Sequence, residues 1–362
     1  MKRLLSPASR VATGLSTLAI AVACGEPEDR PSEVSTMRVL AVRSETPFGS
    51  PGSSAELSML AFDGSNRAWL SETAQRPDAT LWIGGCNNPA GDQYSGCLGY
   101  VREVVGRLGD EHLTATTVPP EAPEGTVGWG AKFQARVPTD IISTRKAAPG
   151  VVNPYGVQMV FFAKCGGVLR RVEDGEQGFP LGCYDSASGL RLGRDDFEYG
   201  FYPLFVYETL SNQNPELTEF DLAGKKSGPG CSEAEPCASG YHCGREGVCI
   251  PTVNRCATAD EDDCPYYRLH VKVPRSSVER AVLAHVAEAD AQTEAVWVSY
   301  YSNAGSFEQD ASVINDPQSG YAEQHDGKWR ANVEANREVR LWAVVRDNRN
   351  GVAWAWQDVW VQ

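Results

Sequence analysis

"REVRLWAVVRDNRNGVAWAWQDVWV", residues 337–361, decides the fold. Val339, Leu341, Ala343 and Val345 alternate with Arg340, Trp342, Val344 and Arg346, the period of two by which a strand buries one face. Asn350-Gly351 then supplies the residue pair that best tolerates the positive φ of a tight hairpin turn. Beyond the turn, Trp354, Trp356 and Trp360 share one parity, and Ala353, Ala355, Val359 and Val361 the other. Two antiparallel strands with an apolar face need a second layer to cover it, so the segment reads as part of a β-sandwich.

The same pattern extends outward through the chain. "YRLHVKV" (267–273) sets Leu269, Val271 and Val273 against Arg268, His270 and Lys272, which makes His270 a solvent-facing strand residue. "AVWVSYYSNAGSF" (295–307) is a strand entering a glycine turn. In the first half, 37–65 holds two apolar runs around a Pro/Gly/Ser turn, and "ATLWIGGC" (79–86), "GWGAKFQARV" (128–137), "YGVQMVFFAKC" (155–165) and "YPLFVYETL" (202–210) continue the series. The fold class is mainly β, with antiparallel sandwiches on a chain long enough for about two domains. One segment departs from the pattern. "SSVERAVLAHVAEA" (276–289) offers a capping box, Ser276 with Glu279, and apolar residues at helical spacing, which allows a short helix where a sandwich would prefer a strand.

The amino terminus sets the compartment. Lys2, Arg3 and Arg10 precede a short apolar run that ends in small residues before Cys24, the pattern of a secretory signal over residues 1–23. As a membrane span the run is too short. "AIAVACGE" resembles the lipobox of bacterial lipoproteins, which implies that Cys24 carries lipid as the mature amino terminus and that Gly25 directs the protein to the outer membrane. Residues 24–36 are acidic, proline-containing and nearly free of apolar side chains, the composition of a flexible tether. The whole chain has a net charge of −14, and loss of the signal would make it more negative. A surface of that sign repels phosphate backbones, so no nucleic acid is expected as a partner.

With Cys24 assigned to lipid, ten cysteines remain: Cys86, Cys97, Cys165, Cys183, Cys231, Cys237, Cys243, Cys249, Cys256 and Cys264. An even number in an exported chain points to disulfides. Zinc sites draw sulfurs from pairs two to four residues apart, and this chain has no such pair and no CxxC redox motif, so neither metal nor thiol chemistry is expected. Cys86 with Cys97, and Cys165 with Cys183, would each close a short local loop. The six from Cys231 to Cys264 sit in a segment with scarcely a hydrophobic side chain, which needs covalent staples to hold a shape. Six cysteines allow fifteen pairings, and the spacing alone does not choose among them. Asp260, Glu261, Asp262 and Asp263 read as a solvated loop, since they lack the alternating spacing of a calcium site.

The cysteine-rich segment, in "C…PC..GYHC…GVC", resembles EGF-like and Dickkopf-type modules, and that resemblance implies the pairs Cys231–Cys243, Cys237–Cys249 and Cys256–Cys264. Nearly the whole remaining chain, from "MRVLAVRSETP" through "NQNPELTEFDLAG" to "LWAVVRDNRNGVAWAW", is similar to predicted lipoproteins of Gram-negative bacteria that carry tandem immunoglobulin-like or PKD-like sandwiches. The resemblance implies a first immunoglobulin-like sandwich over 37–212 and a second over 213–362, with 231–264 inserted after its first strand. It attaches no activity, ligand, cofactor or catalytic residue.

No HExxH, GxSxG, P-loop or dinucleotide motif surrounds the five histidines, and no catalytic residue or cofactor is expected. The suggestive feature is aromatic, since six of nine tryptophans follow residue 296 and three fall on one face of the last strand. Such a face is either core or a stacking platform, and tryptophan's usual burial favours core. Trp342, on the strand face shared with two arginines, is the indole expected to be partly exposed and is the candidate ligand platform. The expected function is a non-catalytic binding or adhesion module tethered to the cell envelope by its lipid, facing the periplasm or the exterior, with a glycan or protein partner. The alternatives are a structural envelope-assembly component or an extracellular hydrolase.

Overall fold

A computed structural model describes residues 32–62, 79–146, 149–172, 178–232, 234–256 and 264–362. Cys24, the signal segment and Asp260 to Asp263 lie outside these. The first sandwich pairs β1 (Arg38–Ser44), β3 (Ser54–Phe62) and β6 (Lys132–Arg136) in one sheet. The facing sheet runs β2 (Phe48–Gly49), β10 (Phe197–Tyr207), β7 (Tyr155–Cys165), β4 (Ala79–Asn87) and β5 (Val127–Trp129). Every pairing is antiparallel except that of β2, which runs parallel to the last strand, β10. This is an immunoglobulin-like strand order, with β1, β3 and β6 in one layer and β2, β10, β7, β4 and β5 in the other.

The strand β7 is buried along its whole length because both of its faces are covered. Val160 and Phe162 meet Leu57, Phe133 and Trp82 between the sheets. Val157, Met159 and Phe161 face the other way, onto Val101, Val104, Val105 and Leu108 of α1 (Leu98–Ala115). The disulfide Cys86–Cys97 ties this helix to β4, and Cys165–Cys183 ties β7 to a small hairpin of β8 (Val168–Arg171) and β9 (Leu181–Tyr184).

The second sandwich repeats the plan. One sheet orders β11 (Glu219–Leu222), β14 (Tyr266–Lys272), β19 (Gly327–Arg330) and β16 (Ser306–Gln309). The other runs β12 (Tyr241–Cys243), β13 (Cys249–Val253), β21 (Val352–Val361), β20 (Arg337–Asp347), β15 (Val296–Ser302), β17 (Ala311–Asp316) and β18 (Gly320–Tyr321). The alternating residues of the hairpin do what their period requires, for Val339, Leu341, Ala343 and Val345 are core together with Leu269, Val271 and Val273. His270 lies on the outer face of β14 with Arg268 and Lys272, half-buried, and contacts Asp326 through Nδ1 at 2.8 Å.

The capping box at 276–289 does not open a helix. The segment holds two single 3₁₀ turns, Arg275–Ser277 and Glu288–Asp290. Its groups are drawn into tertiary contacts instead. Ala284 joins the core of the first sandwich, Asn153 donates to the Leu283 and Val286 carbonyls, and the Glu279 amide donates to the Glu294 carboxylate. The long helix lies elsewhere, at α1.

The cysteine-rich segment falls between β11 and β14. Its disulfides are Cys231–Cys243, Cys237–Cys249 and Cys256–Cys264, the pairs implied by the EGF-like spacing. The sulfur atoms of Cys231, Cys237 and Cys243 lie within 4.8 Å of one another, yet each is oxidised to a disulfide and offers no thiolate to a metal. Exchange needs access of an attacking thiolate to sulfur. Cys243 is exposed and Cys231 partly so, whereas Cys165 and Cys183 are fully buried. A mild reductant is therefore expected to open Cys231–Cys243 well before Cys165–Cys183, read by alkylation and mass spectrometry; earlier alkylation of Cys165 or Cys183 would contradict the placement of the two bridges.

Candidate functional site

The outer face of β20 and β21 carries Arg340, Trp342 and Val344 on one strand and Trp354, Trp356, Asp358 and Trp360 on the other. A sandwich face turned to water would be polar. This one is covered from two sides. At one end the first sandwich lays Leu40, Ala41, Leu60 and Phe62 of β1 and β3 over Trp342, Val344 and Val352. At the other end the knot reaches across, where the His242 ring stacks on Trp360 at 3.8 Å and the Arg245 amide donates to Glu338.

The expectation for Trp342 is therefore corrected. Its side chain is 2% exposed and packs on Phe62 with ring centroids 4.8 Å apart. Its parity sets it on the outer face of the strand, as expected, but that face is an interface between the two sandwiches. Trp354 is half-buried, with the Arg43 guanidinium 4.4 Å above its ring. The indole left open is Trp356, the cross-strand neighbour of Trp342, at 48% exposed.

Beside Trp356 the charged groups are fixed. Arg340 is buried, donates through Nε and Nη2 to Asp358 at 2.6 Å each, and reaches Glu246 of the knot at 2.8 Å. Burial works against its charge, and the two carboxylates outweigh burial and hold the guanidinium above its usual pKa. The guanidinium stays charged and both carboxylates are engaged by it, which fixes Asp358 and the knot's Glu246 to the same strand position. What the strip offers is a half-exposed indole in a rigid frame, with the Arg340 guanidinium 5.8 Å over its ring and the exposed part suited to stacking on a sugar ring or an apolar side chain.

The histidines are dispersed among structural contacts. His112 meets the Thr117 hydroxyl, His285 the Gly150 carbonyl, His242 the Trp360 ring and His270 the Asp326 carboxylate. His325 is buried below the Tyr300 hydroxyl, which donates to its carbonyl at 2.6 Å. Burial holds its imidazole below the usual range, against the opposing Ala322 carbonyl and Asp326 charge. The folded chain then binds fewer protons than the unfolded chain between the two pKa values, so this contribution is complete above about pH 6.5 and is lost as pH falls from there through the lowered folded pKa. Urea midpoints of His325→Phe are expected to fall less steeply than those of the parent between pH 7 and pH 5; parallel slopes would show that His325 is not held neutral.

Truncation separates the two central indoles. Trp342→Ala is expected to lose roughly 3–5 kcal/mol of unfolding free energy through the cavity it leaves. Trp356→Ala, at an open position, is expected to lose less than about 1 kcal/mol. Chemical denaturation of the two variants checks both, and equal losses would contradict the burial assigned to them.

No protein-family model matches the chain, and no curated protein matches it. Twelve chains of solved structures do. One of them, chimeric titin Z1Z2 functionalized with a KLER exogenous peptide from decorin, is 8% identical over 91% of this chain and 98% of its own, with a TM-score of 0.18. At that score the likeness carries no argument, and the immunoglobulin-like assignment rests on the strand order of the two sandwiches.

Proposed function

We propose that the protein is a non-catalytic binding or adhesion module of the Gram-negative cell envelope, held at the outer membrane by lipid on Cys24, and that Trp356 is the centre of its ligand platform. The observation that carries this reading is the single open indole between two covered ones, on a sheet braced by the first sandwich and by the knot. Rigid aromatic area binds at a low cost in conformational entropy and needs no acid, base or metal. Lipidation rests on the small residues before Cys24. The partner of this reading is a glycan or a protein of the envelope, with no cofactor and no nucleic acid.

The test uses the body carrying Cys24→Ser, which should leave the membrane fraction, immobilised and offered a panel of bacterial polysaccharides and detergent-solubilised envelope proteins. Trp356→Ala is expected to weaken capture about tenfold, equivalent to about 1.4 kcal/mol, with the thermal midpoint unchanged. Capture that survives Trp356→Ala at full strength would remove the platform, and a Cys24→Ser protein that stays membrane-bound would remove the anchor.

A further inference from the structure

The segment assigned to a flexible tether does not stay free of the body. Ser32, Val34 and Met37 are buried, and Glu33 forms a parallel bridge with Ser302 at the end of β15. The Val34 amide donates to the Ser302 carbonyl at 2.8 Å, and the Ser302 amide donates to the Ser32 carbonyl at 3.0 Å. Val34 is 1% exposed, packed with Trp342 of the second sandwich and with Leu40 and Phe62 of the first. The chain therefore enters the molecule on its second sandwich before it builds the first strand of its first. Residues 32–36 are a clasp across the domain junction.

From this geometry we infer which face of the protein lies against the bilayer, an inference that rests on the proposed lipidation of Cys24. Eight residue steps separate Cys24 from Ser32, and an extended chain covers at most about 3.5 Å per step. At full extension the clasp stands no more than roughly 28 Å from the headgroups, whereas the far end of the second sandwich can stand that distance plus the length of the sheet away. Around it stand the base of the knot, where the Cys256 amide donates to the Ala331 carbonyl, and the turn between β19 and β20. Arg255, Asn303, Asn332 and Arg337 line a cavity of about 700 Å³ with Glu33 at this end.

The opposite end is as well defined. β15 runs from Ser302, at the clasp, to Val296, which pairs with Asp347 beside the hairpin turn. Its length of seven residues places that turn roughly 20 Å farther along the sheet. There too lie Glu279 and the 277–293 excursion, joined to the first sandwich where the Val152 amide donates to the Ala284 carbonyl. The partner surface is the bilayer that holds the Cys24 lipid. Knot base and β19–β20 turn face it, and the hairpin turn, the excursion and Val152 face away. The first sandwich, though first in sequence, lies beside the second and not beneath it.

The experiment uses the full lipidated chain in vesicles of phosphatidylethanolamine and phosphatidylglycerol doped with a nickel-chelating lipid. A nitroxide is placed on Glu334→Cys in the β19–β20 turn or on Val152→Cys, both exposed. Collisional relaxation by surface nickel is expected to be several-fold stronger at residue 334 than at residue 152. A flexible twenty-residue Gly/Ser insertion after Arg30, which leaves the clasp untouched, is expected to bring the two labels to equal relaxation. Equal or reversed relaxation in the parent chain overturns the orientation, as does a difference that survives the insertion. Absence of labelled fatty acid on the purified protein overturns the anchor and the orientation together, whereas a lipidated protein with equal relaxation overturns the orientation alone.

Discussion

The burial of the outer face of the β20–β21 hairpin is the constraint on which the rest of the molecule depends. An isolated sandwich would present that face to water, and a face carrying Trp342, Val344, Val352 and Trp354 would be a large apolar patch. Three kinds of cover desolvate it: the apolar side chains of β1 and β3, the Arg43 guanidinium over Trp354, and the His242 ring over Trp360. The first belongs to the other sandwich and the last to the knot, so neither accessory unit is an ornament on an otherwise complete domain. Each supplies a missing layer. Trp356 stays open because it lies in the gap between the two covers.

At the hairpin tip the same junction is fixed by charge. Arg349 is buried against Glu294 and meets Glu279 and the Ser211 carbonyl, while Asp347 accepts from Asn212 and from the Arg349 and Gly351 amides. Burial pushes the Glu294 and Asp347 carboxyls up, and the amides and the Arg349 cation oppose it. Such a cluster adds little net stability over an apolar one. Breaking it strands a buried charge at a cost of several kcal/mol, which is why it fixes geometry. Asn212 belongs to the connection between the sandwiches, and Asn214, two residues on, donates to the Ser44 carbonyl while accepting from the Val352 amide. The interdomain connection is stitched to the hairpin on both sides and leaves no hinge there.

What was legible in the sequence was what a local period or spacing encodes. Val339, Leu341, Ala343 and Val345 announced their core face, Asn350-Gly351 their turn, and Cys86 with Cys97 and Cys165 with Cys183 their short local loops, whereas the three pairs of the knot followed only from its EGF-like resemblance. What was not legible depended on a partner from elsewhere in the chain. Trp342 looked open because its parity is shared with Arg340 and Arg346, but the cover comes from residues 40–62 and those arginines are consumed by Asp358 and by the Leu40 carbonyl. The stretch 32–36 has a tether's composition and a single apolar side chain, Val34, whose burial needs a pocket that two domains build together. The helix α1 is a different omission. Val101, Val104, Val105 and Leu108 stand at helical spacing and were legible, whereas the capping box at 276–279 is an equally local signal that tertiary contacts overrode.

The position of the knot follows from comparing the two sandwiches strand by strand. In the first, β1 is followed by the short β2, which leaves its sheet, crosses, and pairs parallel with the last strand at Phe205 and Val206. In the second, β11 is followed by β13, which pairs parallel with the last strand at Trp360 and Val361. β13 is thus the counterpart of β2, and the part of the knot closed by Cys231–Cys243 and Cys237–Cys249 occupies the crossover that in the first sandwich takes only the few residues between Ser44 and Phe48, while Cys256–Cys264 closes the connection from β13 to β14. A long insertion at a surface crossover is tolerated thermodynamically, because closure entropy grows slowly with length. The disulfides Cys231–Cys243 and Cys237–Cys249 reduce that entropy further by restraining the unfolded segment. Because both ends of the insertion are pinned to the second sandwich, one through β11 and the other through β13 beside Trp360, the knot is held over the open edge of the tryptophan strip.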